Sequence, residues 1–192
     1  MTKKSQCKCK KDTKAKKPSK SAQRRISTLI KKGNQGIKLD VGCGGNKQKG
    51  FIGMDLRPIK GIVDIIHDCE TVPYPLPDES CSVILASHLI EHICPQRFMD
   101  VMNEWWRLLK VGGQLWIGCP YGRSFGFYQD PSHCNPVNEA TWSYFSPFHP
   151  LYNVYKPKPF RINKNAWWEQ GNMEVVLEKM SEKEALHVQA VK

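Results

Sequence analysis

Residues 37–46, Ile-Lys-Leu-Asp-Val-Gly-Cys-Gly-Gly-Asn, constrain this chain more than any other stretch. A short apolar run enters a glycine-rich turn, and an acid, Asp40, stands just before the turn. A run of this kind suits a buried strand of a parallel sheet. Gly42, Gly44 and Gly45 carry no Cβ, so the backbone there can bend tightly and approach a ligand closely. The charge of Asp40 favours an amine-bearing ligand over a pyrophosphate. The next acid, Asp55, closes a second apolar run, Phe-Ile-Gly-Met-Asp-Leu, where a carboxylate can accept both hydroxyls of a ribose. Together these features describe a pocket for a nucleoside with a positively charged tail. S-adenosylmethionine (SAM) is the common cofactor of that description.

The formal net charge of +11 belongs to the front of the chain. Residues 1–32 hold thirteen Lys/Arg against one acid, Asp12, whereas the remaining 160 residues are close to neutral. Residues 1–20, with almost no apolar side chains, read as a disordered Lys-rich tail. Such a tail can contact nucleic acid or an acidic surface by counterion release, or act as a solubilising extension. Residues 21–36 read as a short helix and linker, 37–180 as the folded domain, and 181–192 as a polar, frayed end. No apolar stretch is long enough to span a bilayer, and the tail resembles no secretory or transit signal. The eight cysteines therefore read as reduced thiols of a cytoplasmic protein. Cys7 and Cys9 form a C-x-C with no second metal-type pair, so no zinc site is read there.

Apolar runs predict strands at about 37–41, 51–55, 62–66, 81–86 and 114–119. The first connections are too short for full crossover helices. Pro95 opens the clearest helix, with Phe98, Val101, Met102, Trp105, Leu108 and Leu109 on one face, Lys110 in its last turn and Gly112-Gly113 as its stop. Residues 120–150 form a long excursion rich in Gly, Pro, aromatics and His, a length that often marks function. Strands at about 159–169 and 173–180 flank Gly171-Asn172, a hairpin turn pair.

Leu-Asp-Val-Gly-Cys-Gly-Gly-Asn, Gly-Met-Asp-Leu, His67-Asp68-Cys69, the segment from Pro73 to Ile93, and Trp106-Arg107-Leu-Leu-Lys-Val-Gly-Gly occur in that order. This series resembles the class I SAM-dependent methyltransferases, especially the compact type 11 kind, over about residues 37–120. The resemblance implies an α/β, Rossmann-like, mostly parallel seven-stranded sheet closed by an antiparallel C-terminal hairpin. This chain departs from it in having little helix after strands one and two. The resemblance also implies cofactor contacts from Asp40, Gly42, Gly44, Asp55, Asp68, Ser87 and His88.

Direct displacement at a sulfonium needs alignment and exclusion of water, and no metal is assigned. A neutral acceptor needs a base; the run Asp130-Pro-Ser-His133 in the excursion supplies His133, with Asp130 as its orienter. His133 can equally cap its loop through backbone hydrogen bonds. Tyr121, Phe125, Phe127, Tyr128 and Trp142 are candidates for an aromatic rim or for local core. His88-x-x-Glu91-His92 matches a zinc-protease pattern on paper, but that pattern requires a helix, and here it follows a strand. A nicotinamide dehydrogenase is the rival for the glycine turn. Its third glycine is replaced by Lys47, and Asp55 comes early for its ribose acid. A non-catalytic SAM-binding or nucleic-acid-associated protein is the other alternative. The methyl acceptor and the oligomeric state are not readable from the sequence.

Overall fold

A computed structural model describes residues 24, 27, 28, 30, 31, 36–168 and 171–191. The Lys-rich tail and most of the 21–36 segment lie outside the described residues. Seven strands form one sheet: β1 (Ile37–Val41), β2 (Ile52–Asp55), β3 (Ile65–Ile66), β4 (Cys81–Ser87), β5 (Leu109–Pro120), β6 (Phe160–Trp167) and β7 (Asn172–Lys179). Their order across the sheet is β3-β2-β1-β4-β5-β7-β6. The first five are parallel, and β7 runs antiparallel to both β5 and β6. The expected sheet and closing hairpin are both present.

Helix α1 (Pro95–Leu108) joins β4 to β5 and buries the apolar stripe that its spacing predicts, including Phe98, Val101, Met102, Trp105 and Leu108. It packs with Leu39, Ile84, Leu115 and Leu177 from the sheet in one continuous core. Arg107 ties it to the segment before β4, bonding Glu104, Asp78 and the Leu76 carbonyl. No helix stands between β1 and β2 or between β2 and β3, as the short connections require. Each crossover there is a loop.

Two elements differ from expectation. The glycine pair does not stop α1: the chain turns extended at Leu109 and β5 starts at once. Gly113 instead lies so close to β4 that a Cβ would meet the Lys110 oxygen at 2.8 Å and the Ser82 oxygen at 3.1 Å. The pair fits the register shift between β4 and β5.

The C-terminal segment expected to fray contains α4 (Glu182–Ala190). Ser181 caps it by accepting from the Glu184 amide at 3.1 Å, one half of a capping box. Lys158 and Arg161 pair with Glu182 and Glu184 and hold the helix beside β6. Two single-turn helices, α2 (Phe125–Tyr128) and α3 (Tyr152–Tyr155), lie in the excursion between β5 and β6.

Candidate cofactor and acceptor site

Parallel strands in the order β2-β1-β4-β5 bring four carboxyl ends to one edge of the sheet, where open α/β sheets bind ligands. The glycine turn begins there. The amides of Gly42 and Cys43 both donate to the Met54 carbonyl, at 2.8 and 3.2 Å, folding the turn onto β2. Gly42 has φ +67°, and a Cβ on it would stand 2.7 Å from Leu89 Cδ1. Backbone conformation and space both demand glycine here. Through the same contact, the turn after β1 touches the turn after β4.

The two acids are held from within this turn. Asp55, at the end of β2, is 7% exposed. Its Oδ2 accepts from the Gly44 amide at 2.9 Å, and its Oδ1 accepts from the Arg57 amide at 2.8 Å and from Arg57 Nε at 3.2 Å. Burial alone would raise this carboxyl, but the donors of Arg57 and Gly44, with the Arg57 charge, outweigh it and leave it below the ordinary value. Asp40 accepts from the Gln48 amide at 2.7 Å. There burial wins over that bond and over the nearby Lys47 charge, so its carboxyl is raised. Lys47 occupies the position of a dinucleotide-binding glycine, and its ammonium pairs with Asp64 at 2.8 Å.

The remaining expected cofactor residues sit around the same edge. Asp68, after β3, accepts from the Glu70 amide at 3.0 Å and so caps its own turn. Ser87 ends β4 and is exposed. His88 follows with a left-handed φ of 51°, its amide donating to the Gly118 carbonyl at 2.7 Å. Its ring is 57% exposed. Non-glycine residues in this region cost of order 1–3 kcal/mol, a strain that clusters at functional sites.

A second group lies just beyond. Glu91 and His92 belong to a 3-10 turn, Ile90–His92, and not to a helix. His88 and His92 are therefore not one helical turn apart, and the zinc-protease arrangement is absent. The excursion is fastened to this turn: the amides of Cys134 and Asn135 donate to the Glu91 carbonyl at 2.8 and 3.2 Å, and Asn135 Nδ2 donates to the Ile90 carbonyl at 3.1 Å. His133 thereby meets His92, with ring centroids 4.7 Å apart. His133 Nδ1 lies 2.7 Å from the Phe127 carbonyl. A carbonyl only accepts, so Nδ1 carries the proton and Nε2 of the neutral ring holds a free lone pair.

Asp130 stands 3.8 Å from His133 Nε2, beyond hydrogen-bond reach. Its Oδ1 is taken by the Ser132 amide at 2.8 Å and the Ser132 hydroxyl at 2.7 Å, which lower its carboxyl from the ordinary value. The bond that orients His133 thus comes from Phe127, not Asp130. The aromatic group divides: Tyr121, Phe127 and Trp142 are buried core, while Phe125 and Tyr128 are exposed.

Sequence reasoning missed Arg57 as the partner of Asp55 and Leu89 as the neighbour of Gly42. Arg57 follows Asp55 by two residues, a spacing that could have signalled it. Leu89 left no signal, since its contact is set by the strand order.

Residues 39–117 match the methyltransferase domain model of the type 11 family. These residues are thus similar to a methyltransferase domain, and the seven-stranded sheet shares the fold of solved SAM-dependent methyltransferases. Among solved structures, a SAM-dependent methyltransferase from Archaeoglobus fulgidus superposes with TM-score 0.55 at 19% identity, over 83% of this chain and 93% of that one. The 1,6-didemethyltoxoflavin-N1-methyltransferase of Burkholderia thailandensis, solved with S-adenosylhomocysteine bound, superposes with TM-score 0.53 at 12% identity, over 84% and 79%. At these identities the likeness is one of fold. Among curated proteins, the tRNA N(3)-cytidine methyltransferase METTL2 of Gallus gallus is 35% identical over 60 residues, 30% of this chain. The match spans only 16% of that protein. None of these comparisons favours the dehydrogenase. No helix among the described residues is long and apolar enough to cross a membrane.

Proposed function

We propose that residues 37–180 transfer the methyl group of SAM to an acceptor by in-line displacement, with the cofactor seated across the ends of β1, β2 and β4. The observation that carries this reading is the convergence of Asp40, the glycine turn and Asp55 at one edge of the sheet. In this assignment Asp55 takes one ribose hydroxyl with the single acceptor position left beside its present three donors. Asp40 faces the amino group, Asp68 the adenine amine, and Gly42 and Gly44 allow close approach. Ser87 and His88 border the seat at the end of β4. As the acceptor's lone pair bonds the methyl carbon, the S–C pair returns to sulfur and the sulfonium charge disappears. The acceptor's proton passes to His133 Nε2.

The basic tail is assigned to nucleic-acid contact, supported by its charge and by the nucleic-acid substrate named for the chicken relative. Cys94 is disulfide-bonded, against the expectation of reduced thiols throughout, whereas Cys43, Cys69, Cys81 and Cys119 are free thiols. Titration calorimetry with SAM and S-adenosylhomocysteine tests the core of the proposal. Saturable heat with both is expected, and none with either ends it.

A further inference from the structure

We infer that Glu91, His92 and His133 form a binding site for a divalent transition-metal ion of the zinc or manganese kind. One donor atom from each lies within 4.8 Å of the other two. The decisive member is Glu91, whose side chain is 1% exposed and whose two carboxylate oxygens have no hydrogen-bond partner. His88 Nδ1 stands 3.3 Å from Oε1 without hydrogen-bond geometry. An ionised carboxylate in that state is costly, and a bound cation is one of the few things that relieves it.

Both imidazoles are already arranged as ligands. His133 gives its Nδ1 proton to the Phe127 carbonyl. Ser132 Oγ donates its single proton to Asp130 Oδ1 at 2.7 Å, so at its 3.2 Å contact with His92 Nδ1 the hydroxyl is the acceptor. Each ring is thus tethered through Nδ1 to an oxygen and presents a bare Nε2. A metal-ligating histidine is oriented by this kind of outer bond. Two imidazoles and one carboxylate suit borderline transition ions and not magnesium or calcium, which take oxygen shells. His88, on the far side of Glu91 Oε1, is placed to serve as a fourth ligand.

This inference goes beyond the methyl-transfer reading and does not depend on it. An ion at Nε2 occupies the lone pair assigned above to proton removal. In the loaded protein His133 would then be a ligand, and proton removal by its Nε2 would belong to the ion-free protein.

The test uses the full chain, stripped with chelator and titrated by calorimetry with Zn²⁺, Mn²⁺ and Mg²⁺. Binding of one Zn²⁺ or Mn²⁺ per chain is expected, with Co²⁺ giving a ligand-field absorption band. Glu91→Gln, His92→Ala and His133→Ala should each weaken it at least a hundredfold. Ser132→Ala, which touches only the outer bond, should weaken it about tenfold. His92 is exposed, so its variant keeps the test valid if Glu91→Gln fails to fold. Absence of saturable binding overturns the inference. So does equal preference for Mg²⁺, or binding that survives the His92 and His133 substitutions. SAM binding is measured on the same samples, so loss of the ion site with cofactor heat intact breaks this inference alone.

Discussion

Asp55 and Glu91 are both buried carboxylates near one end of one sheet, yet they are treated in opposite ways. Asp55 is gripped by the Gly44 amide of the glycine turn and by the amide and guanidinium of Arg57 from its own turn. Glu91 has been carried into the interior with no hydrogen bond to either carboxylate oxygen. The first acid holds three donors before any ligand arrives, and its negative charge is built into the fold. The second is incomplete, with no donor on either oxygen. Burial alone says little about a carboxylate's role; the donors that accompany it say more.

The largest effect that would sharpen this contrast falls on catalysis. His133→Ala should lower single-turnover methyl transfer by about a hundredfold or more, within the range of general-base losses, while SAM affinity holds. Unchanged turnover would remove His133 from the mechanism. Next, Asp55→Ala should weaken SAM by about ten- to hundredfold in calorimetry, the loss expected for hydrogen bonds to a charged group. Binding within twofold of the parent would break the comparison at its cofactor half.

The sign should reverse at Glu91. In chelator-treated protein, Glu91→Met exchanges an unsatisfied acid for an unbranched apolar chain and should stabilise by ~1 kcal/mol. That corresponds to a rise in Tm of roughly 2–4 °C. A fall would show that the carboxylate has support in solution. The smallest effect is in pH. Because the folded pKa of Asp55 is lowered, its ionisation stabilises the fold above the unfolded value of about 3.9 and the contribution fades as pH falls through the lower folded value. Asp55→Asn should therefore flatten the acid limb of a Tm–pH curve below about pH 4. A limb of unchanged steepness would place the lowered pKa elsewhere.

How much of this was legible depended on whether the signal was local. The strands, α1 and the closing hairpin follow from periodicity and turn residues within a few positions of each other. The helix at 182–190 was missed although Ser181 and Glu184 stand at capping-box spacing, because its polar composition masked the cap. The glycine turn and Asp55 were readable because both sit at strand ends, where composition and place coincide. The alliance of Glu91 and His92 with His133 was not, since His133 lies more than forty positions further along the chain. Only the strand order and the fastening of the excursion to the Ile90–His92 turn bring them together. The aromatic group failed as a unit for the same reason, its members splitting between core and surface by tertiary placement.

The two main-chain bonds from Cys134 and Asn135 to the Glu91 carbonyl fix one point on an otherwise irregular span. The exposed side chains between Pro120 and Asp130, Phe125 and Tyr128 among them, can then change, and so reshape whatever wall an acceptor meets, while the Phe127 carbonyl keeps its bond to the histidine beside that anchor. Such an arrangement separates the evolution of substrate choice from the preservation of chemistry. A lineage could exchange one acceptor for another by rewriting a handful of surface positions, leaving the reactive corner untouched.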